Sequence, residues 1–197
     1  MTEESLTALN GRLVVRIGDI TAQAADVIVN AASHFLVGTD GCSGAIMAAG
    51  GPELMRACAA LGVCEEGNAK LTSAFRLPAR HVIHAVAPIW REGSDGEETR
   101  LVSCYRRSFE LAERQGCRTM AFPSLGTGGH GCPPSWAARL AMREIAGALE
   151  RSPTVERVTV VCYDRETFEC YRVALHLLVS GGLAADAAEQ GDERDPE

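Results

Sequence analysis

The chain has 197 residues, of which 46% are hydrophobic, and a formal charge of −7 at pH 7. A chain of this length and apolar content supports one hydrophobic core but hardly two, so we predict a single folded domain. The opening residues MTEESLTALNGR lack the apolar stretch of a secretory signal, and no apolar run is long enough to span a bilayer, which predicts a cytoplasmic protein without membrane contact.

The negative charge is concentrated at the C-terminus, where residues 180–197 hold six acids and one arginine. About −2 therefore remains on residues 1–179, which contain no run of Lys or Arg. Such a surface disfavours nucleic acid as a partner, because nucleic-acid binding needs a basic footprint. We divide the chain into an N-terminal extension at 1–11, a domain at 12–179 and an acidic, disordered tail at 180–197, and we expect a monomer.

Six short apolar runs, rich in β-branched residues and bounded by turn residues, predict strands. They lie at 12–17, 26–30, 69–74, 81–86, 119–123 and 157–163. Longer segments with helical spacing lie between or after them, at 44–61, 97–115, 135–151 and 165–178. This alternation predicts an α/β fold in which helices cover both faces of a mixed, largely parallel sheet. The polar segment 90–99 is predicted to be a surface loop.

Eight cysteines are scattered through the chain without a CxxC pair, so neither a zinc ribbon nor a redox motif is spelled out. We interpret most of them as reduced, buried, small side chains. Cys132 and His130 lie close in sequence, but two ligands are too few for a metal site, so we expect no metal and no cofactor. His81 and His84 fall in an apolar strand pattern and are assigned structural roles.

Ligands of open α/β sheets bind beyond the carboxyl ends of the strands, and three candidate loops follow predicted strands. The first is Gly18-Asp19-Ile20-Thr21. The carboxylate of Asp19 can accept a hydrogen bond from an exocyclic amine such as adenine N6. The alternative is an ordinary turn in which Asp19 caps the short helix that follows.

The second loop runs from Asn30 to Ile46 and leaves a strand to enter a helix, with glycines at 38, 41 and 44. Backbone N–H groups at such a helix start form an anion site. The alternative is a flexible connection with Ser43 as an ordinary N-cap. The closely spaced glycines favour phosphate binding.

The third loop, 123–133, contains four glycines between residues 126 and 131, which lets the backbone wrap closely around a diphosphate. It also matches GxGxxG, the pattern of a dinucleotide-binding fold. That alternative is weakened because the loop follows the fifth predicted strand, two prolines open the next helix and no acid ends a strand about twenty residues on. His130 is placed either to line a ribose or phosphate or to be a solvated loop histidine.

A series of motifs taken in order resembles the MacroD-type macro domains over residues 12–178. They read GDIT at 18–21, DVIVNAA at 26–32, GxxGxxGAI at 38–46, AAGGPEL at 48–54, GNAKLT at 67–72, LPARHVIHAVAP at 77–88, AFPSLGTGGHG at 121–131 and VVCYD at 160–164. The resemblance implies a three-layer αβα domain that holds ADP-ribose, free or attached to a protein, in a cleft across the carboxyl edge of the sheet.

The resemblance also implies which residues contact the ligand. Asp19 and Ile20 would read the adenine, with Tyr163 against its ring. Residues 38–46 would cradle the diphosphate and the proximal ribose, and residues 124–131 would form the second phosphate loop. The implied ligand-binding set is Asp19, Ile20, Asn30, Gly38, Gly41, Cys42, Gly44, Ile46, Ser124, Gly126, Thr127, Gly128, Gly129, His130 and Tyr163.

Several MacroD-type proteins remove ADP-ribose from acidic side chains or deacetylate O-acetyl-ADP-ribose. Their motif reads NAAN followed by GGGGVD, and its second Asn and its Asp are implicated in positioning the reacting ribose and water, whereas this chain has Ser33 and Ser43 there. A serine cannot act as a carboxylate base near neutral pH. Two hypotheses stay open: a hydrolase that works with Ser33, Ser43 and Asp40, and an inactive ADP-ribose reader. The acidic charge disfavours a third, a nucleic-acid-linked regulator.

Overall fold

A seven-stranded sheet runs through the centre of the protein in a computed structural model, which describes residues 4–183. The strands are β1 (Ser5–Ala8), β2 (Leu13–Ile17), β3 (Ala25–Ala31), β4 (Ala69–Ser73), β5 (Ala79–Ala85), β6 (Thr119–Pro123) and β7 (Arg157–Cys162). The four α-helices among the described residues are α1 (Gly41–Leu61), α2 (Glu97–Arg114), α3 (Pro134–Arg151) and α4 (Arg165–Val179).

The strand order is β1-β2-β7-β6-β3-β5-β4. The five inner strands are parallel, and the two edge strands β1 and β4 are antiparallel to their neighbours. The predicted mixed, largely parallel sheet is therefore confirmed. Strand β1 was not predicted; it lies inside the segment 1–11 that the sequence assigned to an extension, and it pairs with β2 from Ser5 opposite Arg16 to Ala8 opposite Leu13.

The helices cover the sheet on both faces and bury two apolar cores, which gives the three layers. Side chains of α2, α3 and α4 fill the larger core with inward residues such as Val29 of β3 and Phe122 of β6. Helix α1 covers the opposite face, where its Ile46 and Leu54 pack near Ile28. Inner strands buried on both faces explain why the strand segments read as almost continuous apolar runs.

Helix α1 begins at Gly41, three residues before the predicted start at 44. Ser43 is therefore inside the first turn, so the alternative in which it is an ordinary N-cap is wrong. Asp40 holds the N-cap position with an extended backbone, but its side chain makes no capping hydrogen bond. The helix is kinked at Gly51, which has a non-helical backbone with a φ of 80°. The next residue is Pro52, which has no backbone N–H to donate to the preceding turn, so the helical hydrogen bonding is interrupted at the kink.

The segment between β5 and α2 is held by one buried carboxylate, that of Glu97. Its two oxygens accept the backbone N–H groups of Arg91 at 2.7 Å, Gly93 at 3.1 Å and Asp95 at 2.7 Å. Burial acts to raise the pKa of this carboxyl, but the backbone donors outweigh it and leave the pKa below its ordinary value. The predicted surface loop is thus held at its end by the Glu97 carboxylate. Helix α2 starts at Glu97, inside the range 90–99 predicted for the loop.

All eight cysteines are free, and six of them are buried. Burial raises the pKa of every one of these thiols, as for Cys104, where the pKa reaches about 12. Within residues 4–183 no group of three or more His, Cys, Asp or Glu side chains is arranged to hold a metal ion. No helix in the same range has the length and apolar character needed to cross a bilayer. The predicted acidic tail lies outside the described residues from 184 onward.

Candidate functional site

A cavity of about 700 Å³ opens at the carboxyl edge of the sheet. The parallel strands β2, β3, β6 and β7 all end there, so the loops that follow them converge on one place. The first turns of α1 and α4 complete the wall. A volume in the range of roughly 300–1,000 Å³ is typical of sites for ligands of nucleotide size.

One end of the cavity is formed by Asp19, Ile20 and Tyr163. Asp19 Oδ1 accepts the backbone N–H of Thr21 at 2.8 Å and the Thr21 hydroxyl at 2.7 Å, so Asp19 does cap the short helix that follows. The two interpretations of this loop are compatible, because the cap fixes the carboxylate beside the cavity. The ring of Tyr163 is 90% exposed at the rim.

The second loop brings backbone to the cavity wall at the start of α1. A Cβ on Gly38 would lie 2.5 Å from the Ser43 hydroxyl and 2.6 Å from the Ser43 carbonyl oxygen, so only glycine fits there. Gly41 has a φ of 54°, in the left-handed region. Gly44 is the first residue whose N–H bonds within the turn, to Asp40 O at 2.8 Å. The earlier N–H groups lack helical acceptors and form the positive end of the helix.

The third loop folds into a tight turn against the cavity. Gly131 N donates to Gly128 O at 2.9 Å and Cys132 N donates to Gly126 O at 3.0 Å. In the described part of the chain, the N–H groups of Thr127, Gly128 and Gly129 donate to no backbone carbonyl. A Cβ on Gly128 or Gly129 would meet nothing within 4 Å, so this backbone faces open space. Exposed N–H groups of this kind suit an anion.

No Lys or Arg side chain lines the cavity within residues 4–183, whereas Asp19, Asp40 and Asp164 do. The donors that remain for a phosphate are backbone N–H groups, helix N-termini, and the hydroxyl and imidazole side chains of the lining. Asp164 is also the N-cap of α4, since its Oδ1 accepts the N–H of Thr167 at 2.7 Å.

Four polar side chains lie where a reacting group could be placed. The Ser33 hydroxyl donates to the Val37 carbonyl at 3.0 Å. The Ser43 hydroxyl is buried and has no hydrogen-bond partner among the described residues. Asp40 lines the cavity from an exposed position. His130 lines it from the second phosphate loop, with Nδ1 2.7 Å from the Ala87 carbonyl oxygen.

Three residues of the predicted ligand-binding set do not line the cavity. Ile46 is fully buried in the core under α1, and a Cβ on Gly44 would lie 3.0 Å from the carbonyl carbon of Thr39. Asn30 is fully buried in β3, and its side-chain amide lies 3.1 Å from His84 Nδ1. All other predicted site residues line the cavity.

Several lining residues were missed by the sequence analysis. Val161, Asp164 and Thr167 come from β7 and the start of α4, and Ala87 follows β5. The motif VVCYD at 160–164 contained the available signal, but only its tyrosine was selected. The remaining missed residues are Gly18, Ala31, Ala32, Val37, Ala45 and Pro123, which contribute backbone or small apolar surface.

This fold and site define an α/β domain whose glycine-rich turns meet at one cavity on the carboxyl edge of its sheet. The family profile described as the macro domain matches residues 29–141. The chain belongs to the macro domain family, and the resemblance inferred from the sequence motifs is confirmed.

Relatives match nearly the whole chain. An O-acetyl-ADP-ribose deacetylase of Enterobacter sp. is 42% identical over 180 residues, covering 89% of this chain and 98% of that protein. A macro domain-containing protein of Methanosarcina mazei is 41% identical over 164 residues, covering 83% of this chain and 88% of the relative.

Solved macrodomain structures match the fold as well. The Oceanobacillus iheyensis macrodomain with ADP is 34% identical, with a TM-score of 0.87, covering 92% of this chain and 100% of the other. The Trypanosoma brucei macrodomain in complex with ADP-ribose is 31% identical, with a TM-score of 0.79, covering 84% and 69%.

Proposed function

We propose that the protein binds ADP-ribose in the cavity at the carboxyl edge of the sheet. The observation that carries this proposal is that two glycine-rich turns, 38–43 and 126–130, present backbone to one cavity of about 700 Å³, which no Lys or Arg among the described residues lines. The diphosphate lies between these turns, the adenine lies at the end formed by Asp19 and Tyr163, and the terminal ribose reaches Ser33 and Asp40. The ADP and ADP-ribose complexes of two relatives support the same ligand class.

The protein also hydrolyses an ester on the terminal ribose. O-acetyl-ADP-ribose and ADP-ribose on acidic side chains share one bond type, a carboxylate ester of a ribose hydroxyl. The 42% identity to an O-acetyl-ADP-ribose deacetylase supports this reaction. Ser33 and Ser43 position the ribose, because a serine hydroxyl can both donate and accept a hydrogen bond. Asp40 and His130 are the lining side chains near that end that can accept a proton.

The alternative is a reader that binds ADP-ribose without hydrolysing it. Two observations favour it: the Ser33 hydroxyl already donates to Val37 O, and the Asp40 side chain is not held by a capping hydrogen bond. A loosely held acid is a weak general base, since proton transfer depends on fixed geometry.

Two measurements on the full chain separate these functions. Calorimetry with ADP-ribose tests binding, and the absence of heat at millimolar ligand would refute the site. Release of acetate from O-acetyl-ADP-ribose, and of ADP-ribose from a peptide modified on a glutamate, tests hydrolysis. Binding without release at high protein concentration identifies the reader.

A further inference from the structure

We propose that His130 is the general base of the ester hydrolysis, with its Nε2 atom taking the proton from the attacking water. This inference rests on the proposed function and adds a residue to its chemistry. From the sequence, Asp40 and His130 are the only obvious replacements for a general base from these loops, each favoured as a bystander, and His130 is also placed among the ligand-binding residues.

The hydrogen bond to Ala87 selects one form of the His130 ring. Nδ1 lies 2.7 Å from the Ala87 carbonyl oxygen, and a carbonyl oxygen can only accept a hydrogen bond. Nδ1 therefore carries a hydrogen and donates it. In the neutral ring the lone pair is then on Nε2, which makes no hydrogen bond to any described residue. This is the usual way in which a protein fixes the tautomer of a catalytic imidazole.

The backbone around His130 is also fixed by hydrogen bonds. The His130 carbonyl accepts the N–H of Trp90 at 2.8 Å, and Gly131, with a φ of 74°, closes the turn onto Gly128. Trp90 packs against Trp136 with ring centroids 4.7 Å apart. The buried Glu97 carboxylate holds the segment that follows Trp90 through three N–H groups. The imidazole is thus fixed to the fold from two sides.

The neighbours of His130 leave its ring open to the cavity. Gly128 and Gly129 have no side chains, and the space where a Cβ would stand is empty to 4 Å. Asp40, by contrast, lies at an exposed N-cap without a capping hydrogen bond. A base acts through a defined position relative to the water, and an imidazole with a free lone pair acts well near neutral pH. The geometry therefore favours His130 over Asp40.

The reaction balances without any further reagent. A water molecule gives one proton to Nε2 as its oxygen forms a bond to the ester carbonyl carbon. The bond from that carbon to the ribose oxygen then breaks, and the proton on Nε2 passes to the departing ribose oxygen. The products are a carboxylic acid and ADP-ribose, and His130 returns to its starting form.

The test compares His130→Phe, His130→Ala and Asp40→Asn with the unaltered protein, using O-acetyl-ADP-ribose as substrate. The phenyl ring keeps the aromatic volume but has no lone pair, so we expect kcat to fall by about 100-fold or more. The fall in kcat should greatly exceed any rise in the Kd for ADP-ribose, since the diphosphate is held by backbone N–H groups. Added imidazole should restore part of the turnover of His130→Ala, and Asp40→Asn should lose much less activity than either.

Retained kcat in His130→Phe overturns the proposal, and so does a loss of turnover that only follows a loss of ADP-ribose binding. If Asp40→Asn is the variant that loses turnover, the base is Asp40. If the unaltered protein binds ADP-ribose but releases no acetate, the hydrolase function fails and the assignment of a base falls with it. Thermal unfolding of each variant shows whether it is folded in the assay.

Discussion

Gly38 is the position at which a single side-chain atom would disturb the cavity most. A Cβ there meets the Ser43 hydroxyl and backbone at 2.5–2.7 Å, and the backbone cannot rotate away as a side-chain end could. Gly38→Ala should therefore displace the start of α1 and weaken ADP-ribose binding by at least about tenfold, or more than about 1.4 kcal/mol. Calorimetry measures this change.

The matched control for this substitution is Gly18→Ala. Gly18 lines the same cavity, but a Cβ on it meets its nearest neighbour, Val161, at 3.7 Å, which is ordinary contact. This variant should bind ADP-ribose as the unaltered protein does. Equal affinity of both variants would show that the contact between Gly38 and Ser43 does not shape the site.

A single substitution can separate the capping role of Asp19 from its proposed contact with adenine. Asp19→Ala removes both the helix cap and any contact with adenine, and loss of the cap alone costs about 1 kcal/mol of stability. Asp19→Asn keeps an oxygen for the Thr21 N–H but replaces the second oxygen with a donor, which cannot accept a hydrogen bond from adenine N6. We expect Asp19→Asn to keep its Tm and to bind ADP-ribose about tenfold more weakly.

The hypoxanthine analogue of ADP-ribose supplies the control, because it carries an oxygen in place of the N6 amine. Asp19→Asn should not weaken its binding. If both ligands lose affinity equally, Asp19 acts on the loop and not on the base.

The sequence predicted the cavity residues best where backbone conformation decides them. Glycines such as Gly38 and Gly126 mark turns that any chain with this pattern must make, so a local pattern was sufficient. The sequence could not predict which face of the sheet Asn30 lies on. A strand that is buried on both faces is apolar or small at successive residues, so it lacks the alternation that would distinguish its two faces. Asp164 and Thr167 were missed because they reach the cavity only through pairing of β7 with β2 and β6.

At the scale of elements, a buried polar network joins α1 to the sheet. His84 Nδ1 lies 3.1 Å from the Asn30 amide, Nε2 lies 2.9 Å from the Thr72 hydroxyl, and the Cys58 thiol of α1 lies 3.5 Å from Nε2. Burial lowers the pKa of His84 from 6.5 to about 4, so the ring is neutral in the folded protein. The prediction that His84 is structural agrees with this burial.

This network makes stability depend on pH. The unfolded chain binds a proton at His84 below about pH 6.5, whereas the folded protein does not until about pH 4. Stability from His84 is thus complete above the unfolded pKa and is lost as the pH falls. We expect the free energy of unfolding to drop by about 2 kcal/mol between pH 7 and pH 5. Urea denaturation at several pH values measures it.

His84→Gln tests the assignment, since it removes the titrating ring. The variant will be less stable at pH 7, but its stability should change little down to pH 5. Asp26 and Glu97 have lowered pKa values and lose their contribution only below their ordinary range, so they do not interfere there. An unchanged pH dependence in His84→Gln would assign it to another group.

The elements themselves were largely predictable from periodicity. Six of the strands and all four helices were expected within a few residues of where they lie, because buried strands and amphipathic helices have strong local patterns. Strand β1 has only four residues, and it is a strand because its backbone pairs with the free edge of β2. The early start of α1 was missed because Gly41 has a left-handed backbone that no helix propensity anticipates.

At the scale of the whole molecule, the reactivity of the eight free thiols can be used to measure both folding and ligand binding. Six are buried, and Cys42 and Cys170 are half-buried, with the pKa of Cys42 raised to about 11 by burial. Because the thiolate is the reactive form, the native protein should react slowly with Ellman's reagent at pH 7.5, at no more than these two sites. All eight should react after unfolding.

Cys42 also lines the cavity, so saturating ADP-ribose should protect it and leave Cys170 as fast as before. Mass spectrometry of the labelled peptides distinguishes the two. Labelling of Cys42 that does not change with ligand would mean that the nucleotide does not pass over the start of α1.

The cavity without lysine or arginine has a consequence for the conditions under which the protein can work. A phosphate that binds to Lys or Arg side chains must displace the anions of the buffer from those cations. Main-chain N–H groups carry no net charge and have no such bound anions to displace. Salt also screens the repulsion between the phosphates and Asp19, Asp40 and Asp164, so the affinity for the nucleotide should not fall between dilute buffer and half-molar sodium chloride.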